Sequence, residues 1–162
     1  MIRKATINFK FANTCKLEKI KEIAKEHQKI VNFFIGTLWE QKQFSGNFIK
    51  DTSVDSWLSA RMKQAAAKQA LSIVKSQRKK KKKHKPVFNR PVMELDSRFA
   101  DIARDVNSFD IWIKLSSIGN KIKLNLPSQK HIHFNTLLNN GWTVKKSIRI
   151  RVSEDGCYAD FF

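Results

Sequence analysis

The sequence predicts an α+β fold, in which a small antiparallel β-barrel is interrupted by a helical insertion. Apolar and polar residues alternate near the beginning of the chain and in several segments of its second half, as in strands with one buried face. The part between them repeats apolar residues at helical spacing. One early strand followed by several late ones is typical of a barrel closed across an insertion. We expect the barrel over residues 1–12 and 86–162, and the insertion over residues 13–85.

The beginning of the chain predicts one strand and one long helix. Residues 4–11 alternate between polar and apolar side chains, which is the strand period. The pair Asn13-Thr14 then offers an N-cap, and the apolar residues from Leu17 to Leu38 fall near helical spacing. Gly46-Asn47 marks a polar break after this helix.

A second helix is predicted to begin at Thr52 or Ser53, because Thr52-Ser53-Val54-Asp55 has the pattern of a capping box. Its alanine-rich middle favours helix. The helix is predicted to run into the basic octet, residues 78–85, and to stop at Pro86. Since like charges at this spacing destabilise a helix, we expect the octet to fray or to stay mobile until a partner binds.

The second half of the chain predicts strands joined by turns. Gly119-Asn120 and Asp155-Gly156 are turn sequences that separate alternating segments. A short helical stretch is expected around Phe134. The predicted strands cover residues 109–115, 121–126, 144–152 and 157–162.

Positive charge is segregated along the chain. There are 32 Lys and Arg against 14 Asp and Glu, which gives a formal net charge of +18 at pH 7. Residues 56–93 hold twelve basic residues and no acidic one, and residues 111–153 hold eight and none. Positive side chains that are close together on a surface repel one another, and a bound polyanion removes this repulsion. We therefore predict a nucleic-acid partner; the alternative is a generally basic protein that its lysines keep in solution.

Composition disfavours several other classes of protein. No apolar run approaches the ~20 residues of a membrane span, and the first residues lack the apolar block of a signal peptide. We therefore expect a cytoplasmic protein without a membrane partner. Only Cys15 and Cys157 are present, so a disulfide framework or a cysteine zinc site is not expected. The common phosphate-loop and hydrolase motifs are absent from the sequence.

Three groups of side chains are candidates for nucleic-acid contacts. The basic octet would neutralise phosphates without reading sequence; its alternatives are a solvated linker or a localisation signal. Trp112 lies on the polar register of its strand and could stack a base, or pack against a covering helix. Because no carboxylate lies between residues 111 and 153, we expect the cations there to track phosphates rather than to form surface ion pairs. The members of this third group, expected on the outward faces of two strands, are Lys121, Lys123, Lys145, Arg149 and Arg151.

A catalytic alternative rests on two sets of residues. His131 and His133 share a predicted strand face and could ligate a metal. A set of five acids could assemble a two-metal nuclease site, or could simply be solvated and balance nearby arginines. These acids are Glu94, Asp96, Asp101, Asp105 and Asp110.

The order of several short motifs adds a family resemblance. An opening strand, Ile2-Arg3-Lys4-Ala5-Thr6, precedes a helix that carries Arg61-Met62-Lys63-Gln64-Ala65. Then follow Pro86-Val87-Phe88, Ile122-Lys123-Leu124-Asn125-Leu126-Pro127, and the pair of segments 147–152 and 154–161. In this order the chain resembles the amino-terminal half of TnpB, the transposon-encoded RNA-guided nuclease related to the miniature type V CRISPR effectors. The resemblance covers essentially the whole chain.

The resemblance implies a specific architecture and specific partners. The barrel would be an oligonucleotide-binding-like wedge domain and the insertion a recognition domain. Together they would bind the guide RNA scaffold, the guide–target heteroduplex and a short motif in the target DNA duplex. Lys63 and Gln64 are the nearest matches to the residues that read this motif in the family, and a glutamine amide can pair with adenine.

The resemblance also implies that a different domain or subunit would carry out cleavage. The family's nuclease domain would begin just after Phe162, so we do not expect this polypeptide to cleave alone. No cofactor is expected in the chain, and Mg²⁺ is expected only for a separate or missing nuclease domain. Further partners would be a separate nuclease subunit or a second copy of the chain. The protein would be of prokaryotic type, intracellular, and nucleoid-associated when bound to DNA.

The full set of predicted nucleic-acid-binding residues combines the basic stretches with the resemblance. An alternative function is that of a structural RNA-binding protein without a guide. The set comprises Lys4, Lys10, Arg61, Lys63, Gln64, Lys68, Arg78, Lys79, Lys80, Lys81, Lys82, Lys83, Lys85, Trp112, Lys121, Lys123, Lys145, Arg149 and Arg151.

Overall fold

The computed structural model describes residues 1–43 and 47–162, and Gly46 of the predicted polar break lies outside them. The fold is mixed α+β with antiparallel sheets, as the sequence predicts. No helix within the described residues is both long enough and apolar enough to cross a membrane. The elements are β1 (Ala5–Asn8), α1 (Thr14–Glu40), α2 (Phe48–Asp51), α3 (Ala60–Arg78), β2 (Val92–Leu95), β3 (Ala100–Arg104), β4 (Ile111–Leu115), β5 (Leu124–Ser128), α4 (Ile132–Asn139), β6 (Ile148–Ser153) and β7 (Gly156–Phe161).

The strands form two antiparallel sheets. The first has the order β1-β7-β6-β2 and the second the order β3-β4-β5. No strand pairing among the described residues joins them into one closed barrel, so the closed form of the predicted barrel is wrong. The reason lies between β2 and β3, where the backbone N–H groups of Phe99 and Ala100 both donate to the carbonyl of Asp96. This tight turn directs the chain out of the first sheet.

Alternation along the strands gives each sheet one buried face. In β6, Ile148 and Ile150 are buried while Arg149 and Arg151 lie on the outer face. Helices α1 and α3 pack against each other and against the first sheet. Fully buried alanines on α3, such as Ala66, leave room for α1 to approach closely. The three helices α1–α3 lie between β1 and β2 in the chain, while the division into two domains stays a prediction.

Helix α3 begins later than the sequence predicts. Ser59 is its N-cap and accepts a hydrogen bond from the backbone N–H of Met62, whereas Thr52 directly follows α2. Ser59 also donates its hydroxyl to the carbonyl of Ser117, at 2.6 Å. Gly119, with φ +144°, lies against the same place, since a Cβ there would be 2.7 Å from the carbonyl oxygen of Trp57. The helix start is therefore selected by the turn before β5, which the local capping pattern does not contain.

Helix α3 ends at the first residue of the basic octet. The guanidinium of Arg78 donates to the carbonyls of Leu38 and Trp39, both at 3.0 Å, and of Gln41, and so satisfies the last turn of α1. Beyond the octet, Asn32 exchanges two hydrogen bonds of 2.8 Å with the backbone of Phe88. Residues 79–87 therefore form a loop that is tied to α1 at both ends.

Candidate nucleic-acid interface

A long groove runs beside helix α3, and we call it the α3 groove. It consists of three adjoining pockets of about 450, 340 and 430 Å³, which all share Ser72 as a lining residue. One wall is the exposed face of α3, from Ala65 to Gln77, and the opposite side is formed by residues 87–98 and the beginning of β6. At 1.5 Å per residue, this wall is about 18 Å long.

The α3 groove is basic along its whole length. Helix α3 contains no carboxylate, so its wall carries only neutral and positive side chains. Two acids lie on the opposite side, and each is already paired: Glu94 with Arg149 at 2.9 Å, and Asp96 with Arg98 at 2.7 Å. The basic side chains that line the groove are Lys68, Lys80, Arg90, Arg98, Lys145 and Arg149.

Four of these six cations have no carboxylate within ion-pair distance in the described part of the chain. They are Lys68, Lys80, Arg90 and Lys145, and all four are exposed. They come from α3, from the loop after it, from the approach to β2 and from the approach to β6. A surface that gathers cations without ion-pair partners from four segments attracts phosphates, because releasing the counterions around a polyanion favours binding.

Three predicted site residues continue the wall of the groove. Arg61, Gln64 and Lys79 are exposed on α3 or at its C-cap. Lys63, by contrast, is half-buried and donates to the carbonyl of Val54 at 3.1 Å. Of the two motif-reading candidates, only Gln64 therefore has a side chain without a protein partner among the described residues.

In the basic octet, some side chains contact α1 and others are exposed. Arg78 serves the end of α1, as described above. Lys85 lies over α1, where its Nζ would be 3.5 Å from a Cβ added at Gly36. The side chains of Lys81, Lys82 and Lys83 are exposed on the tied loop.

The two arginines of β6 form ion pairs, so the expectation that cations in 111–153 would not do so is wrong for them. The acids come from neighbouring strands: Glu94 of β2 lies directly opposite Arg149, and Asp160 of β7 accepts two hydrogen bonds from Arg151, at 2.8 and 3.0 Å. Glu94 lies 55 residues from Arg149 in the chain, whereas Asp160 lies 9 residues from Arg151 across the β6–β7 turn. Both acids lie outside residues 111–153, so a count of charges within that segment cannot find them.

Asp160 is a structural carboxylate on the outer face of the first sheet. It is 1% exposed, and it accepts a 2.7 Å hydrogen bond from Thr6 of β1. Lys4 lies 4.0 Å away. Burial alone would raise the pKa of Asp160, but the hydrogen bonds from Arg151 and Thr6 outweigh it and hold this pKa below its usual range. Arg151 and Lys4 therefore compensate a buried charge.

Lys121, Lys123 and Lys145 do not lie on strands, contrary to the prediction. Lys121 belongs to the turn before β5 and has φ +56°, and Lys123 directly precedes that strand. Lys145 precedes β6, where its backbone N–H donates to the carbonyl of Phe162 at 2.8 Å. Only Lys145 lines the α3 groove.

Trp112 lies outside the α3 groove, on the second sheet. Its indole N–H donates to the side chain of Asn107, and its ring packs edge-on against Phe109 at 5.7 Å. Phe109 in turn contacts Phe11, whose ring has the ammonium of Lys10 4.9 Å from its centroid. The interpretation of Trp112 as a base-stacking residue stays a prediction.

The residues of the catalytic alternative are placed apart. His131 caps α4, bonding the N–H of Phe134 and the carbonyl of Thr6, and His133 contacts the carbonyl of Lys4. The two histidines thus join α4 to the edge strand β1, and the predicted shared strand face is wrong. Asp105 and Asp110 both contact Lys130, the first through the lysine ammonium and the second through the backbone N–H. Asp101 lies across from Lys114, and Glu94 and Asp96 are paired with Arg149 and Arg98. No group of three or more His, Cys, Asp or Glu able to hold a metal is formed by the described residues.

The sequence interpretation missed Arg90 and Arg98 as groove residues. Arg90 lies in the acid-free stretch and could have been included on that signal. Arg98 lies in the acidic passage, and only the turn after β2 brings it to the groove.

Comparison with known proteins gives no assignment. No protein-family model matches the sequence, and no curated protein matches it significantly.

Proposed function

We propose that this chain is the nucleic-acid-binding recognition and wedge module of an RNA-guided DNA-targeting effector, of the kind that the TnpB resemblance implies. The observation that supports this most is the α3 groove, whose three adjoining pockets are lined by cations from four segments. In such a module the protein would hold backbones, and base pairing with the guide would select the sequence.

The size of the α3 groove suits a nucleic-acid strand. The rise of one stacked strand is about 3.4 Å per nucleotide along its axis, so a wall of about 18 Å is as long as roughly five nucleotides. The unpaired cations and the exposed lysines of the tied loop would contact the phosphates of these nucleotides. The hydroxyl of Ser72 and the amide of Gln64 would add polar contacts of the kind that position a strand.

The wedge part of the proposal concerns the two sheets. We interpret them as an opened form of an oligonucleotide-binding-like barrel, whose residues 1–12 and 86–162 flank the recognition helices in residues 13–85. In support, residues of both sheets and of the helices belong to the same buried core, including Ile113 of β4, Ile150 of β6 and Val74 of α3.

The test is to purify the chain from its native host and to sequence the RNA that copurifies with it. We expect one structured, non-ribosomal RNA whose binding weakens steeply with salt, and binding of a matched DNA duplex only when that RNA is present. Protection of ribosomal RNA alone would instead support a structural RNA-binding protein without a guide. Absence of salt-dependent RNA binding would refute the proposal.

A further inference from the structure

One end of the α3 groove differs from the rest because it combines cations with flat rings. We call it the terminal pocket; it is the part of about 450 Å³ lined by Lys68, Lys145, Arg149 and Phe162, among others. A neighbouring pocket of about 280 Å³ shares Lys145 and Phe162 and adds Trp142. The terminal pocket therefore lies within the size range of small-ligand sites.

Two arginine–aromatic stacks stand at this end. The guanidinium carbon of Arg149 lies 5.2 Å from the ring centroid of Phe162, and that of Arg3 lies 5.4 Å from the ring of Trp142. Aromatic rings and guanidinium planes are the surfaces on which proteins stack unpaired bases. Lys68 and Lys145, which have no ion-pair partner among the described residues, supply the charge that a phosphate requires.

Two polar atoms of the lining residues also lack partners. Gln69 donates its amide N–H to the carbonyl of Val92 at 3.1 Å, which fixes the amide, while its Oε1 is buried and accepts no hydrogen bond. Arg149 Nε is likewise buried and donates none, although its Nη2 is paired with Glu94. Buried polar groups without partners are costly, so a polar ligand edge that reaches them would be favoured.

We propose that the terminal pocket holds one unpaired nucleotide of the bound strand, with its base against the Arg149–Phe162 surface and its phosphate between Lys68 and Lys145. This deepens the proposed function and rests on it. A duplex end would not fit the same way, because its bases are already stacked and paired. The pocket would thus mark the place where a strand leaves a helical region.

The test uses the whole chain and three probes: adenosine 5′-monophosphate, adenosine and inorganic phosphate. Binding is measured by calorimetry at about 50 mM salt. We expect the nucleotide to bind at least about ten-fold more tightly than either fragment, since it uses both surfaces. Lys145→Ala and Lys68→Ala should each weaken nucleotide binding about five-fold or more, while Lys114→Ala, on the second sheet, should not change it. Equal affinities for nucleotide and inorganic phosphate, or equal effects of Lys145→Ala and Lys114→Ala, would overturn the inference.

A competition experiment separates a free nucleotide from a nucleotide in a strand. A single-stranded RNA of about 12 nucleotides should displace the monophosphate, because both need the terminal pocket. Simultaneous binding of both would overturn the assignment to the bound strand. If the RNA binds with a steep salt dependence but the monophosphate does not bind at all, this inference fails while the proposed function stands.

Discussion

Removing two unpaired cations of the α3 groove should change the salt dependence of RNA binding by a calculable amount. Lys68 and Lys80 lie in different pockets of the groove and have no ion-pair partner among the described residues. For a single strand, each neutralised phosphate contributes about 0.7 to the slope of log K against log salt. The four unpaired cations of the groove therefore contribute roughly −3 to the slope of the native chain, and each contacting lysine of the tied loop adds about −0.7. Lys68→Ala/Lys80→Ala should reduce the magnitude of the slope by about 1.4.

The same arithmetic gives the loss of affinity. If the ionic contribution to binding vanishes near 1 M salt, the loss of two contacts lowers the affinity for RNA about 60-fold at 50 mM salt, about 25-fold at 100 mM and about 10-fold at 200 mM. The assay is fluorescence anisotropy of a labelled RNA of about 12 nucleotides at these salt concentrations. The matched control, Lys25→Ala/Lys114→Ala, removes the same charge from exposed positions outside the groove. Equal loss in both double variants would show that total charge, and not the groove, drives binding, and would refute the reasoning.

Three further predictions concern stability and are checked by urea unfolding. Burial lowers the pKa of His27 to about 4, so below about pH 6.5 the unfolded chain binds more protons than the folded chain. The free energy of unfolding should therefore fall by about 2 kcal/mol from pH 7.5 to pH 5. A His27→Leu variant with the same pH dependence would contradict the attribution of this fall to His27. Arg78→Ala should lower the free energy of unfolding by about 2 kcal/mol, because the carbonyls at the end of α1 lose their donor. Arg78→Lys should lower it by less. An unchanged free energy of unfolding in the alanine variant would contradict the role of Arg78 at the end of α1. Gly119→Ala should lower the free energy of unfolding by about 3 kcal/mol or more, since its Cβ would meet the backbone of Trp57. Gly156→Ala, at nearly the same φ of +146° but with nothing within 4 Å, measures the cost of this backbone conformation alone; equal costs would exclude the steric reason.

What the sequence predicts well are the features that a local pattern encodes. The alternation of Ile148 and Ile150 with arginines places β6 correctly, and the buried stripe of α1 follows helical spacing from Ile20 to Leu38. The acid-free stretch around α3 likewise becomes one wall of the candidate site. In each case neighbouring residues decide the outcome, so a single chain is sufficient to predict it.

What the sequence predicts poorly depends on contacts between distant segments. The start of α3 is set by Ser117 and Gly119, which lie about sixty residues away in the chain, and the partner of Arg149 is Glu94 of β2, 55 residues away. Whether strands close into one barrel depends on the turn at Asp96, whose geometry no alternation pattern contains. Residue type alone also does not show that Arg78 donates to the carbonyls at the end of α1, while its role in phosphate binding stays a prediction.

The junction between Gly119 and the first residues of α3 has a mechanical consequence. Because a turn of the second sheet both bonds the cap of the helix and leaves no room for a side chain beside it, the helix cannot tilt without disturbing the sheet. The α3 groove is therefore shaped without a ligand, so binding of the proposed nucleic-acid partner would cost little ordering entropy of the protein. A rigid groove favours ligands whose curvature already matches it over ligands that must bend to fit it.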